Sequence, residues 1–262
     1  MNAKLKRLCA IIAEYDCVAV AYSGGVDSTF LAAVAHDVLG SKALCITTKS
    51  CLQPAHEFSD ASAWCQQQGM RQVICEFDPF SIEGFERNPK DRCYLCKRRL
   101  YGAMEQAALR EGVQAILDGS NVDDTKVYRP GRQALTELGI RSPMVEAGLI
   151  KAEIRELSHE MGLGTWNRPS FACLASRFAY GETLTPEALA RVEAAEGILR
   201  DAGFAQYRVR VHGDLARIEV LPEELPRLIA LAAESGLAER IKSLGFKFVT
   251  CDLEGFRSGS FD

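Results

Sequence analysis

At 262 residues, with 47 % apolar and 25 % charged side chains, the chain has the composition of a folded protein and the length for a core domain with a smaller companion. A net charge of -4 with only four histidines argues against a broad basic nucleic-acid-binding surface and favours a small-molecule substrate. No run approaches the roughly 18 apolar residues of a membrane-crossing helix, and Glu14 and Asp16 come too early for an export signal, so the expected setting is the cytoplasm with no membrane partner.

Residues 4–14 read as a short helix, and the apolar run 17–22 as a buried strand. A serine and two glycines follow, then a helical pattern closed by Gly40. Residues 43–48 form a second strand, 55–68 a helix ended by Gly69, 72–77 a third strand, 96–110 a helix and 114–119 a fourth strand. Short apolar strands alternating with helices predict an α/β fold, a parallel sheet covered by helices on both faces.

Residues 120–143, punctuated by Gly and Pro, read as functional loop, and 151–161 as an amphipathic helix with Ile154 and Leu157 inward. Residues 167–186 lack clear periodicity, and a loop of that length in a compact protein points to function. Pro186 after Thr185 starts a helix. Residues 207–212 and 215–220 alternate as a hairpin around Gly213 and Asp214, followed by a helix from Pro222 and a final strand at 246–250. A domain boundary near residue 178 separates a nucleotide-binding domain, 1–178, from a small α+β domain, 179–262, expected to supply substrate-binding residues and oligomer contacts.

The segment AYSGGVDS, Ala21 to Ser28, ends a buried strand and opens a helix, where exposed N–H groups and the helix dipole favour an anion. Gly24 and Gly25 let a phosphate approach the backbone, Ser23 and Ser28 add hydroxyls, and Asp27 suits Mg²⁺ bridging to phosphates. The Walker pattern is missing. The loop resembles instead the SGGxDS loop of the ATP-pyrophosphatase (PP-loop) superfamily, which implies ATP, pyrophosphate release and transfer of AMP to a substrate oxygen. Asp118, Gly119, Asn121 and Asp124 lie at the carboxyl end of the fourth strand, where a parallel-sheet crevice places nucleotide contacts. Asp124 is a candidate second Mg²⁺ ligand and Arg129 a candidate phosphate contact, and Ala21 and Thr48 are grouped with the nucleotide-binding residues.

Ten cysteines in a chain without an export signal read as reduced thiols. Cys9, Cys17, Cys45, Cys65 and Cys75 sit in apolar or helical patterns and read as core residues. Cys93 and Cys96, in DRCYLCK, and Cys173, in FACLASR, lie in polar, turn-rich stretches. The C-x₂-C spacing suits zinc or iron–sulfur ligation, and three thiolates around a 4Fe-4S cluster leave one iron open to sulfide.

The stretches AYSGGVDSTFLA, DRCYLCK, GSNVDDTKVYRPGRQALTELGIRSP, EAGLIKAEIR, TWNRPSFACLASRFAYG, RVRVHGDLARIEV and DLEGFRSGS together resemble the LarE family, ATP-dependent sulfur transferases of nickel-pincer nucleotide cofactor biosynthesis in lactate racemase maturation. The resemblance implies a substrate, pyridinium-3,5-biscarboxylic acid mononucleotide, whose carboxylates are adenylylated and converted to thiocarboxylates. It implies two sulfur routes: a sacrificial cysteine at the position of Cys173, or a cluster on Cys93, Cys96 and Cys173. With all three cysteines present the cluster route is expected, fed by a sulfide donor of unknown identity.

Arg208 and Arg210 alternate onto one strand face and suit the substrate's phosphate. Arg177 is placed to orient an adenylate, Glu196 and Glu219 resemble acidic positions near the family's active site, and Arg257 is a weaker substrate or subunit contact. The resemblance also implies a homo-oligomer as large as a hexamer. A tRNA-thiolating PP-loop enzyme and an ammonia-using amide synthetase are the rival activities; the first wants a basic RNA-binding face.

Overall fold

A computed structural model describes residues 2–113, 115–126, 130–169 and 172–257. The chain divides into two compact units, one of residues 1–82 and 91–171 and one of residues 83–90 and 172–262.

The first unit opens with α1 (Ala3–Ile12), capped by the Asn2 side chain, which accepts from Lys4 N. It continues with β1 (Val18–Ala21), α2 (Val26–Leu39), β2 (Ala43–Lys49), α3 (Ala55–Gln67), β3 (Arg71–Glu76), α4 (Arg92–Arg110) and β4 (Ile116–Leu117). A 3₁₀ turn at Val122–Thr125 then leads to α5 (Pro130–Glu137), α6 (Pro143–Glu146) and α7 (Lys151–Glu160). All four strands are parallel, in the order β3-β2-β1-β4. The chain steps outward from β1 to β2 and β3 and then returns to the other side of β1, so the direction reverses at β1. In open parallel sheets the crevice beyond the carboxyl ends at such a reversal receives ligands.

Period-two geometry sends alternate β1 side chains into two cores. Val18 and Val20 pack with Leu8, Ile12, Phe30, Leu31 and Ile154, while Ala19 joins Leu44, Ile46, Met104 and Ile116 on the opposite face. Cys45 and Cys65 are buried in the first of these cores and Cys75 in the second, with Cys9 and Cys17 half-buried at their margins. Gly40 ends α2 at φ 58°, a conformation that costs a glycine nothing.

Two expectations change. The helix expected from Cys96 begins at Arg92, so Cys93 is helical and does not lie in a turn. The stretch 120–143, expected to be loop, contains a 3₁₀ turn and α5, whose Pro130 and Gly131 stand at the helix start, where they interrupt nothing.

The second unit contains a 3₁₀ turn at Leu174–Arg177, α8 (Pro186–Asp201), β5 (Tyr207–His212), β6 (Leu215–Val220), α9 (Leu225–Ser235), α10 (Leu237–Lys242) and β7 (Phe248–Cys251). Thr185 Oγ1 accepts from Ala188 N at 3.1 Å and Pro186 follows, which fixes the start of α8. The strand order is β5-β6-β7, with β5 and β6 an antiparallel hairpin and β7 parallel to β6. Residues 83–90, placed in the first domain from sequence, pack here: Asn88 at φ 50° donates to the carbonyls of Phe178 and Ala179, and Leu184 N donates to Glu86 O at 2.7 Å. Among the described residues no helix is long and apolar enough to cross a membrane.

Ile154 is fully buried in the core that supports β1. Ile154→Ala is expected to cost about 2–5 kcal/mol through lost apolar contact and the cavity left behind. Glu156→Ala, on the exposed face of α7, is expected to stay within about 0.5 kcal/mol. Urea unfolding midpoints check both.

Candidate functional site

The turn after β1 is built by contact as well as by conformation. Gly24 has φ 74°, and a Cβ there would lie 3.0 Å from the Cβ of Ala61 on α3. On the other side, a Cβ on Gly119 after β4 would lie 3.3 Å from Ser28 N and Cα. Ser28 Oγ accepts from Ser23 N at 3.2 Å, lies 3.1 Å from Ser23 Oγ and donates to Gly25 O at 3.3 Å, which ties the turn to the first turn of α2. Gly25 is the N-cap of α2 and provides no side-chain cap. The first-turn N–H groups therefore present a positive dipole end to any anion.

A cleft of about 150 Å³ opens over this turn, with Asp27, Glu57, Lys151 and Arg168 among its lining residues. Lys151 Nζ meets Asp27 Oδ2 at 2.5 Å, and Asn121 Nδ2 donates to Asp27 Oδ1 at 3.4 Å. Arg168 donates to Gly24 O at 3.3 Å and to Asp60 Oδ2 at 2.6 Å. Lys151 N donates to Asp123 Oδ2, and that carboxyl is held below its usual range by the Lys126 ammonium and by this N–H.

The residues after β4 serve mainly to shape this crevice. Asp118 is buried and accepts from Tyr101 Oη at 2.9 Å, Ser120 N at 2.9 Å and Ser142 Oγ at 3.1 Å. Burial pushes the Tyr101 phenol upward, so it remains a donor to Asp118. Asn121 and Asp124 form a capping box: Asp123 N donates to Asn121 Oδ1, and Asn121 N donates to Asp124 Oδ2 at 3.0 Å. Ala21 and Thr48 stand at the carboxyl ends of β1 and β2, both half-buried. Arg129 lies outside the described residues.

Mg²⁺ keeps several waters and takes one or two carboxylates together with substrate phosphates. Asp27, facing the cleft at the anion-binding turn, fits that demand. Cys93, exposed, and Cys96, half-buried, lie in the first two turns of α4 three residues apart and so share a face, which fits two thiolate ligands of one metal centre. Among the described residues no three His, Cys, Asp or Glu side chains gather to hold a metal ion.

Cys173, the third thiol, belongs to the second unit, where it is exposed at the head of the 3₁₀ turn. Arg177 curls back beneath it and donates to the carbonyls of Ala172 and Cys173 at 2.5 and 3.1 Å. The same guanidinium is fully buried and makes a two-pronged pair with Glu196 at 2.8 and 2.9 Å. Glu196 Oε1 also accepts from Val209 N, joining α8 to β5. Arg210 donates to Glu219 Oε2 at 3.1 Å and to Ser176 O at 2.7 Å. Arg208 donates to Tyr207 O and stacks over Phe256, 5.1 Å from its centroid. Burial and the nearby Arg177 guanidinium push Arg208 down to about 10, which leaves it cationic at neutral pH. Arg257 is exposed and pairs with Asp252 and Glu254.

Lys151 and Arg168 were not among the residues singled out from sequence. A signal existed for Lys151: a cation at the first position of a helix opposes the dipole and needs a reason to be there. Arg168 carried only its place before Pro169 in an aperiodic stretch.

Residues 8–98 match the family model described as NAD synthase. The chain is 37 % identical over 257 residues to the pyridinium-3,5-bisthiocarboxylic acid mononucleotide synthase of Lactiplantibacillus plantarum, covering 98 % of this chain and 92 % of that one. An uncharacterized protein of Synechocystis is 41 % identical over 100 % of this chain and 98 % of its own, and one of Methanocaldococcus jannaschii 28 % identical over 92 % and 91 %.

Gly24→Ala is expected to weaken nucleotide binding at least about tenfold, because left-handed backbone costs an alanine roughly 1–2 kcal/mol and its methyl meets Ala61. Adding Ala61→Gly removes the collision but not the backbone cost, so calorimetric titration should recover only part of the affinity. Glu196→Gln leaves the buried Arg177 without its counter-charge, and a loss of about 3–5 kcal/mol is expected in urea unfolding.

Proposed function

We propose a function on one premise: the chain belongs to the LarE-type family of PP-loop ATPases. On that premise it is an ATP-dependent, AMP- and pyrophosphate-forming sulfur transferase that acts on the carboxylates of pyridinium-3,5-biscarboxylic acid mononucleotide. The observation that carries this reading is the full-length likeness to the L. plantarum synthase, whose name states the thiocarboxylate product.

A carboxylate is a poor electrophile. Attack of its oxygen on the α-phosphorus of ATP forms a C(O)–O–P link and breaks the bond to the β-phosphate, releasing pyrophosphate. The N–H groups at the start of α2 and the ammonium of Lys151 face the charge that collects on the leaving group, and Asp27 would hold a Mg²⁺ ion, which would supply further neutralisation of that charge. Lys151 is paired with Asp27, so with that carboxylate turned to Mg²⁺ the ammonium would be available to phosphate. Hydrosulfide sulfur then adds to the acyl carbon, the C–O bond breaks, AMP leaves with the oxygen, and a proton is lost to give the thiocarboxylate. Two rounds give the bisthiocarboxylate.

The substrate's phosphate is assigned to the second unit. Among the described residues of that unit, Arg177, Arg208 and Arg210 are buried with Glu196 and Glu219 as the buried acids, and that surplus of positive charge supports an anion site. Arg177 acts by fixing the backbone that carries Cys173. For the sulfur source, the exposed Cys173 and the shared-face pair Cys93 and Cys96 are assigned to a 4Fe-4S cluster. When bound, such a cluster supplies an iron position with affinity for sulfide. The donor that reloads it is unassigned, and the working assembly is taken to be a homo-oligomer.

AMP release should depend on the pyridinium biscarboxylate mononucleotide, and equal stimulation by bulk tRNA would overturn the substrate reading. After anaerobic purification about four irons and as many sulfides per chain are expected, lost on Cys93→Ala. Stoichiometric zinc without iron rejects the cluster. Loss of the mass of H₂S from Cys173 after one turnover, seen by mass spectrometry, would replace the cluster route with the sacrificial one.

A further inference from the structure

Among the described residues, Lys151 and Arg168 are the cations lining the cleft, and the reaction above uses Lys151 alone. Arg168 is held there by contacts on both its main chain and its side chain. Arg155 on α7 donates to Trp166 O at 2.9 Å and to Arg168 O at 3.0 Å, which pins the backbone on both sides of Asn167. The Arg168 guanidinium then bonds Asp60 on α3 and the carbonyl of Gly24 in the anion-binding turn.

An ion pair on a protein surface contributes little to stability and does not call for a second arginine to secure its backbone. The exposures also differ: the Arg168 side chain is 21 % exposed and that of Asp60 55 %. The cation is thus sheltered in the cleft while its counter-charge faces water, where it is screened. A guanidinium carries five N–H donors in a planar fork that matches phosphate oxygens, and a charge-assisted bond to phosphate is stronger than the 3.3 Å contact to Gly24 O.

We propose that Arg168 is a catalytic residue that contacts the ATP polyphosphate and stabilises the departing pyrophosphate, with Asp60 and Arg155 as its positioning residues. The assignment rests on the reading that this cleft holds Mg–ATP. It gives the pyrophosphate a cation on the α3 side of the glycine turn, opposing Lys151 at the start of α7.

Calorimetric titration of the full chain with ATP, AMP and inorganic pyrophosphate, in Mg²⁺, tests it. Arg168→Gln is expected to lower affinity for ATP and pyrophosphate about tenfold, the loss of one charge-assisted phosphate contact, and to leave AMP within about twofold. Arg168→Lys keeps the charge but not the fork and should recover only part. Asp60→Asn as a single variant should cost about threefold for both ATP and pyrophosphate and add nothing when Arg168 is already Gln, the signature of a residue acting through another. Unchanged ATP affinity in Arg168→Gln overturns the proposal, as does an equal loss for ATP and AMP, which marks a structural role. Wild-type chain that binds no ATP at all sinks the nucleotide reading itself and this proposal with it.

Discussion

The turn between β1 and α2 has room for its backbone and little else. On one flank Gly24 lies against Ala61 of α3, and on the other Gly119 lies against the backbone of Ser28. Both approaches come from the strand order, which puts α3 and the end of β4 on opposite sides of the β1 crevice. A turn wedged in this way cannot drift, so the first N–H groups of α2 keep one direction. Polar groups from three elements are placed relative to that direction: the Asp27 carboxylate from α2 itself, the Lys151 ammonium from α7 and the Asn121 amide at the head of the 3₁₀ turn after β4. Electrostatic stabilisation of a leaving group depends on dipoles that need not reorganise during the reaction, and the wedge supplies that rigidity.

The elements closest to this wedge were also the easiest to read from sequence. β1 and β2 are buried on both faces, so they appear as unbroken apolar runs, and a serine with two glycines at the end of the first marks a turn whose backbone an anion can approach. Legibility fell where local signals pointed two ways. Pro130 and Gly131 look like loop punctuation, yet one opens α5 and the other lets it pack against Lys97, where a Cβ would stand 2.7 Å from Cδ. Residues 83–90 give no sign in their composition that their partners lie some ninety residues later; the carbonyls of Phe178 and Ala179, accepting from Asn88, and the Leu184 N–H on Glu86 O reveal it. Long-range pairing of irregular chain has no periodicity to detect.

Charge in the second unit shows a different limit. Alternation in residues 207–212 places Arg208 and Arg210 on one strand face, and the strand is real. Alternation cannot say whether that face meets water or protein. The answer depends on Glu219 across the hairpin and the Ser176 carbonyl, which accept from Arg210, and on Phe256, over which Arg208 stacks; the alternation reveals none of these partners. Burying such charges is costly, and hydrophobic side chains of like volume generally hold a fold as well. Their retention here is explained by what they hold: Arg177 and Arg210 between them grip the carbonyls of Ala172, Cys173 and Ser176.

That grip bears on how two incompatible chemistries share one chain. An acyl adenylate must be kept from water, which would hydrolyse it, whereas a sulfur-bearing group must be reachable from outside to be reloaded. Arg177 is wholly buried while Cys173, four residues earlier, is exposed, a contrast that matches these demands on the proposal that Cys173 serves the sulfur transfer. An exposed thiol on a loose loop would meet its target rarely, because ordering the loop would cost about 1–2 kcal/mol for each residue fixed. With its own carbonyl and its neighbours' already bonded to buried arginines, most of that ordering is done before substrate arrives. The thiol is exposed while the carbonyls around it are bonded, an arrangement that suits the repeated sulfur delivery proposed above for Cys173.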